Sequence, residues 1–335
     1  RVFRPVSVAR FRIVLLRLRS MFKSPTAKVQ LEDDFFMEGA PIGADPFTAT
    51  VPLSTRAHIA KSDYNHHLSN SSYAQDCDCA RFKTYWQFFK QFARAGGWMP
   101  LAGTHYQFIR EIPMFATYEV RTLLGAWDEK WIYIVSRFVS RSTKGRKERK
   151  ALPASMTTST HDSKEPTATI NLIHTPANVD TESPSPVPSG ATSPEETARS
   201  LRAVSAGLGE EKDGSILHAV TVSQMCYKIG RITIPPAIVL AISGFCDAPA
   251  EGGPRYSVSH PPPYWPEVLN LTQKSLGGGP KVLHDFLVGG WRNVPECDRW
   301  WEQAMSGKIE EQRRANLAQL EAVKSSMEAV RQMRY

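Results

Sequence analysis

The sequence predicts an α+β domain in which an antiparallel sheet wraps a long central helix. Three observations carry that expectation. A helical pattern rich in aromatics runs from Asn70 to Ala95, strand-like runs follow it directly, and one further run at 217–227 is set apart by a long polar segment. One strand, one long helix and then a meander is an α+β plan.

Residues 1–49 read as a basic amphipathic N-terminal arm. Arg1, Arg4, Arg10, Arg12, Arg17, Arg19, Lys23 and Lys28 all precede the first acid, Glu32. They account for the whole formal charge of +8, so the remainder balances 33 basic against 33 acidic residues. A neutral body lacks the broad cationic face that phosphate neutralisation needs, and nucleic acid is not expected as a partner. A short basic arm instead fits an anionic membrane surface. Residues 8–22 interleave arginines with Phe, Ile, Val and Leu, as either an interfacial helix or a surface helix packed on the domain would. The sequence opens on Arg1 rather than Met, so an upstream segment is expected.

The first part of the sheet domain spans 50–140. Residues 50–60 read as a strand with Pro52 near its start. The helix from Asn70 follows from Tyr73, Cys77, Ala80, Phe82, Tyr85, Phe88, Phe89 and Phe92, which recur at steps of mostly three and four residues until Gly96 and Gly97 stop it. Those aromatics spread around the helix, which implies enclosure. Strands are expected at 104–109, 117–124 and 131–139.

Residues 141–214 are rich in Ser, Thr, Pro and charge, and are read as a disordered insertion, tolerable because closure entropy grows slowly with loop length. Residues 215–245 supply the last strand, and 246–295 read as an irregular Gly/Pro-rich segment. Residues 296–335 read as a C-terminal amphipathic helix whose apolar face includes Ile309, Leu317, Leu320 and Val323. That face packs on the domain or forms a seam with a partner.

Five scattered cysteines without a C-x-x-C pair give neither a disulfide framework nor a zinc site. They fit a reducing compartment, and a cytoplasmic, membrane-associated location is expected, with no metal and no cofactor. G-x-S-x-G, P-loop and H-E-x-x-H patterns are lacking.

The chemistry concentrates between Lys61 and Tyr73, where a carboxylate and two imidazoles sit in one loop ahead of a helix N-terminus. Unpaired N–H groups there polarise an acyl carbonyl and stabilise its oxyanion. Asp63 can attack that carbonyl or activate water, with His66 or His67 orienting a group or moving a proton. The same residues also suit simple helix capping. Lys228 and Arg231 are placed to meet a pantetheine or nucleotide phosphate, or to stay solvated in a turn.

Asp63-x-x-His66-His67-Leu68-x-Asn70-x-x-Tyr73 resembles the D-x-x-G-H-V-N-N-x-x-Y signature of the hot-dog thioesterase superfamily. Asp78-x-Ala80-Arg81, the Tyr118 to Asp128 run and Tyr227-Lys228-x-Gly230-Arg231 are similar to the branch holding thioesterase superfamily member six and fungal secondary-metabolite thioesterases. The resemblance implies a hot-dog fold and hydrolysis of an acyl-CoA or acyl-carrier-protein thioester. It also implies a homodimer with each site built between subunits. It makes Asp63 the catalytic carboxylate and places oxyanion donors at Ser71, Ser72 and Tyr73; His67 is read as catalytic beside Asp63, and His66 and Asn70 as substrate-binding. Two positions depart from the signature: His66 replaces its glycine and Ser69 its first asparagine. A non-catalytic acyl-binding or membrane-associated protein and a hot-dog dehydratase are the alternatives.

Overall fold

The computed structural model describes residues 4–141, 211, 213–247 and 253–333. Five strands form one antiparallel sheet: β1 (Val51–Arg56), β2 (Leu101–Phe108), β3 (Thr117–Trp127), β4 (Ile132–Ser140) and β5 (Ile216–Met225). Their order is β1-β3-β4-β5-β2. Every strand expected from the sequence is present.

Two helices precede the sheet, α1 (Arg4–Ser20) and α2 (Pro25–Met37), and α3 (Asn70–Phe88) lies between β1 and β2. α3 begins at Asn70 because Ser69 leaves the helical region as N-cap, with φ −68° and ψ 148°. Its buried face runs Tyr73, Cys77, Ala80, Thr84 and Phe88, at three- and four-residue steps. Tyr73, Cys77 and Ala80 pack with Val120, Phe138 and Ala219 of the sheet. This sheet with its central helix is the hot-dog arrangement.

The expected unbroken helix to Ala95 is interrupted. Phe89 turns out of helical geometry at φ −115° and ψ 32°, and α4 (Lys90–Arg94) resumes after it. Tertiary packing overrides the local pattern here: the Phe89 ring meets Tyr227 edge-on at 5.3 Å and Phe88 at 6.2 Å.

After β5 come a two-stranded ribbon, β6 (Tyr227–Ile229) and β7 (Ile232–Ile234), and the buried apolar helix α5 (Pro236–Ser243). The segment read as irregular contains two helices, α6 (Trp265–Thr272) and α7 (Pro280–Val288). Proline early in each first turn, where no N–H partner is needed, starts both. The tail holds α8 (Trp300–Ala304) and α9 (Lys308–Gln332), with Gly307 at φ 61° between them.

α9 covers the face of the sheet opposite α3. Leu317, Leu320 and Val323 pack against Ala126, Tyr133 and Val222, whereas the alternate residues Ile134 and Phe138 of β4 face the other way. The register of β3 against β4 shifts at Gly125, where a side chain would run into Val135 of β4, and the Gly125 carbonyl accepts from Asn316 Nδ2 of α9 at 2.7 Å.

The N-terminal segment is folded onto the domain rather than extending as an arm. Ala9 of α1 is buried, and Asp33 of α2 is buried where it accepts from Lys274 N at 3.2 Å and Ser275 N at 3.1 Å. No helix among the described residues is long and apolar enough to cross a membrane. The expected insertion falls, over 142–210 and at 212, outside the described residues. Its last part belongs with the sheet, since Arg137 Nε donates to Glu211 at 2.6 Å and Arg121 pairs with Asp213 at 2.8 Å.

Candidate active site

The loop between β1 and α3 is closed at its base. Ser62 bridges Leu68, and the Lys61 carbonyl accepts from Ser69 N and from Ser72 Oγ, each at 2.9 Å. The tip is therefore held against the first turn of α3. Within it, Asp63 N donates to the His67 carbonyl at 2.9 Å, and Asp63 Oδ1 accepts from Asn65 N at 2.9 Å.

That tight turn forces His66 into the left-handed region at φ 62°. The superfamily signature has glycine at this position, the residue that occupies such a conformation without steric cost. His66 is exposed, and its backbone carbonyl accepts from Met114 N at 2.8 Å.

His67 is set between two carboxylates. Its Nδ1 lies 3.2 Å from Asp63 Oδ2, and its Nε2 lies 3.5 Å from Glu111 Oε1. Asp63 is partly buried and Glu111 mostly exposed. The other oxygen of Asp63 serves the turn, so the carboxylate is oriented from both sides.

The helix start offers donors unevenly. Ser72 N and Tyr73 N donate to the Ser69 carbonyl at 2.9 and 3.4 Å. Among the described residues the N–H groups of Asn70 and Ser71 form no hydrogen bond. Of the donors expected at Ser71, Ser72 and Tyr73, the first is thus the free one, with Asn70 beside it. The Tyr73 ring is buried against Phe108 and Phe138, at 5.1 and 4.8 Å, and burial pushes its phenol well above the ordinary value.

Lys228 and Arg231 are not brought to this loop within one chain. Lys228 pairs through its backbone with Trp98, and its Nζ donates to the Arg231 carbonyl at 3.3 Å. The ribbon that carries both packs, through Tyr227, on Phe89 and Phe92 beyond the C-terminal end of α3. Asp63 lies beyond the other end, a helix of 19 residues away, or about 28 Å at 1.5 Å per residue.

Sequence reasoning missed a second polar group behind the loop. Lys61 is 8% exposed, Asp76 4% and Tyr118 2%. Lys61 Nζ and the Tyr118 hydroxyl each donate to a different oxygen of Asp76, and Lys61 Nζ also reaches Thr55 Oγ1 at 3.3 Å. The one available signal was a carboxylate at Asp76, three residues after Tyr73, on the buried face of the helix. No metal-holding cluster of His, Cys, Asp and Glu occurs among the described residues.

Residues 58–195 match the family model of the thioesterase-like superfamily. The chain is 34% identical over 89 residues to probable thioesterase YBR096W of Saccharomyces cerevisiae, covering 26% of this chain and 39% of that protein. It is 34% identical over 108 residues to thioesterase poxG of Penicillium oxalicum, covering 27% and 35%. Protein THEM6 of Xenopus laevis is 34% identical over 80 residues, covering 23% and 39%. The chain spans less than half the length of these curated relatives.

Proposed function

We propose that this chain hydrolyses an acyl thioester carried on coenzyme A or on an acyl-carrier protein. The observation that carries the reading is the Asp63–His67 contact of 3.2 Å at the start of α3, beside two helix amides without a partner. The thioester carbonyl oxygen accepts from the amides of Asn70 and Ser71, which concentrates positive potential on the carbon. Asp63 takes a proton from water as the water oxygen bonds to that carbon. The tetrahedral intermediate then breaks the C–S bond, and the thiolate leaves and takes up the proton. His67 holds the Asp63 carboxylate in place.

A homodimer fits this reading. Among the described residues β2 is an edge strand, paired only with β5, and it exposes Leu101 and Phe108. A partner on that edge would approach the Tyr73–Phe108 contact beside the helix start and would complete the substrate site. Contact with an anionic membrane surface fits α1 and the turn after it. Phe11 is 66% and Phe22 95% exposed, interleaved with Arg10, Arg17 and Arg19.

The test is thiol release from acyl-CoAs of graded chain length, with the parent and Asp63→Asn assayed together. Parent turnover is expected, and the variant should lose at least about a hundredfold, the lower bound for removing an essential base. A variant that turns over like the parent would falsify the assignment of Asp63.

A further inference from the structure

A cavity of about 760 Å³ opens between α1, α3 and β1, within the range of about 300–1,000 Å³ that small-molecule sites occupy. Asp63 and His67 do not line it. Its apolar wall is built from Val8 of α1, Leu53 of β1 and Phe82 and Trp86 of α3. Asp76 also reaches it, but both of its oxygens are occupied by Lys61 and Tyr118.

One side of the cavity carries surplus positive charge. Arg12 donates to Glu38 Oε2, and Lys90 Nζ lies 3.9 Å from the same oxygen, so two cations share one carboxylate. Lys90 is buried, and its nearer partners are backbone carbonyls of Phe35 and Glu38. Burial pushes its ammonium below the ordinary value, with the neighbouring Arg12 charge acting the same way and Glu38 the other.

Two cations that share one carboxylate beside an apolar wall match one ligand chemistry: a single chain ending in a carboxylate. We propose that this cavity binds a single-chain acyl carboxylate, with its head group at Arg12 and Lys90 and its chain along Val8, Leu53, Phe82 and Trp86. The site is separate from the hydrolytic loop, and its occupancy does not depend on turnover.

The experiment is displacement of cis-parinaric acid from the full chain by decanoate, decanol and decyltrimethylammonium. Decanoate is expected to displace the probe at a concentration at least about tenfold lower than decanol, the margin one charge-assisted hydrogen bond supplies. The ammonium amphiphile should be weakest. In Arg12→Gln/Lys90→Met the preference for decanoate should fall to within about twofold. Thermal melts establish that the double variant folds, and if it does not, Arg12→Gln alone, at a half-exposed position, decides. Absence of probe binding, equal potency of decanoate and decanol on the parent, or an undiminished preference in the deciding variant overturns the proposal. Failure of acyl-CoA turnover leaves it standing, because no step of the measurement requires hydrolysis.

Discussion

His67 Nδ1 lies 3.2 Å from Asp63 Oδ2 while the far side of the same ring lies 3.5 Å from Glu111. The imidazole therefore fixes the direction of a partly buried carboxylate four positions before it in the same loop. In the proposed hydrolysis this makes His67 a positioning residue. His67→Gln should lower kcat by about ten- to a hundredfold and leave KM within about twofold, since a displaced base weakens chemistry more than binding. Glu111→Gln, at the exposed and longer contact, should change kcat by less than about threefold. A purely structural role would move both variants' melting temperatures and leave the kcat to KM split unchanged.

His66 adopts φ 62° without being glycine. A side chain in that region costs about 1–2 kcal/mol, part of which glycine returns as unfolded-state entropy. His66→Gly should raise stability by about 0.5–1 kcal/mol in denaturant titrations. Loss of stability would show that the exposed imidazole makes a favourable contact that offsets the strain.

Periodicity made most of the sheet domain legible. The helix start at Asn70 follows from capping residues and an aromatic pattern, and the strands from β-branched and aromatic runs between turn residues. The break at Phe89 was invisible because nothing local marks it: the ring leaves the helix to meet Tyr227, 138 positions later in the chain. α6 and α7 were hidden for another reason, since helices of eight and nine residues are too short for a period to emerge from Pro- and Gly-rich flanks. At the site, the Asp63 to Tyr73 spacing was readable as one segment. The Lys61, Asp76 and Tyr118 group was not, because its members come from three separate elements.

His218 links β5 to the chain beyond β2. Its Nδ1–H donates to the Glu111 carbonyl at 3.0 Å, and its Nε2 accepts from Ser140 Oγ at 2.8 Å. Burial holds the imidazole below its ordinary value, against the backbone hydrogen bonds that act the other way. The unfolded chain keeps a value near about 6.5, so just below that pH it binds more protons than the folded chain. This contribution to stability is present above about pH 6.5 and is lost as the pH falls toward the folded value. His218→Gln should therefore flatten the decline in melting temperature between about pH 7 and pH 5. Parallel parent and variant curves across that window would contradict the assignment.

Ser140 and Ile216 are register partners at the ends of β4 and β5, although 75 positions separate them in the chain. A short connection is thus sufficient to join the two strands. Replacing residues 142–208 with a Gly/Ser linker of about six residues, a common hairpin-scale length, should leave a cooperatively unfolding protein whose melting temperature lies within a few degrees of the parent. A broad or absent unfolding transition would show that the replaced residues contribute to the core.

Asp76 sits behind the candidate loop with one oxygen facing Lys61 and the other facing the Tyr118 hydroxyl. Burial, then the Asp76 charge, drives that phenol far above its ordinary value, so Tyr118 stays a hydrogen-bond donor throughout the working pH range. Breaking a buried ion pair from one side leaves the other charge without compensation, at a cost of about 3–5 kcal/mol. Asp76→Leu should therefore destabilise by that amount, with Lys61 as the stranded charge. Lys61→Met/Asp76→Leu removes both charges and should recover most of the loss, to within about 1–2 kcal/mol of the parent. The double variant also tests how the pair reaches the site. Lys61 holds the helix start through its backbone carbonyl, which accepts from Ser69 and Ser72, so thioester turnover should return together with stability. Chemical denaturation of parent, single variants and double variant, with kcat on the same samples, gives both quantities. If the double variant is as unstable as Asp76→Leu, the stranded Lys61 charge is not the source of the loss. If it regains stability without turnover, the Lys61 ammonium itself, rather than its backbone, positions the loop.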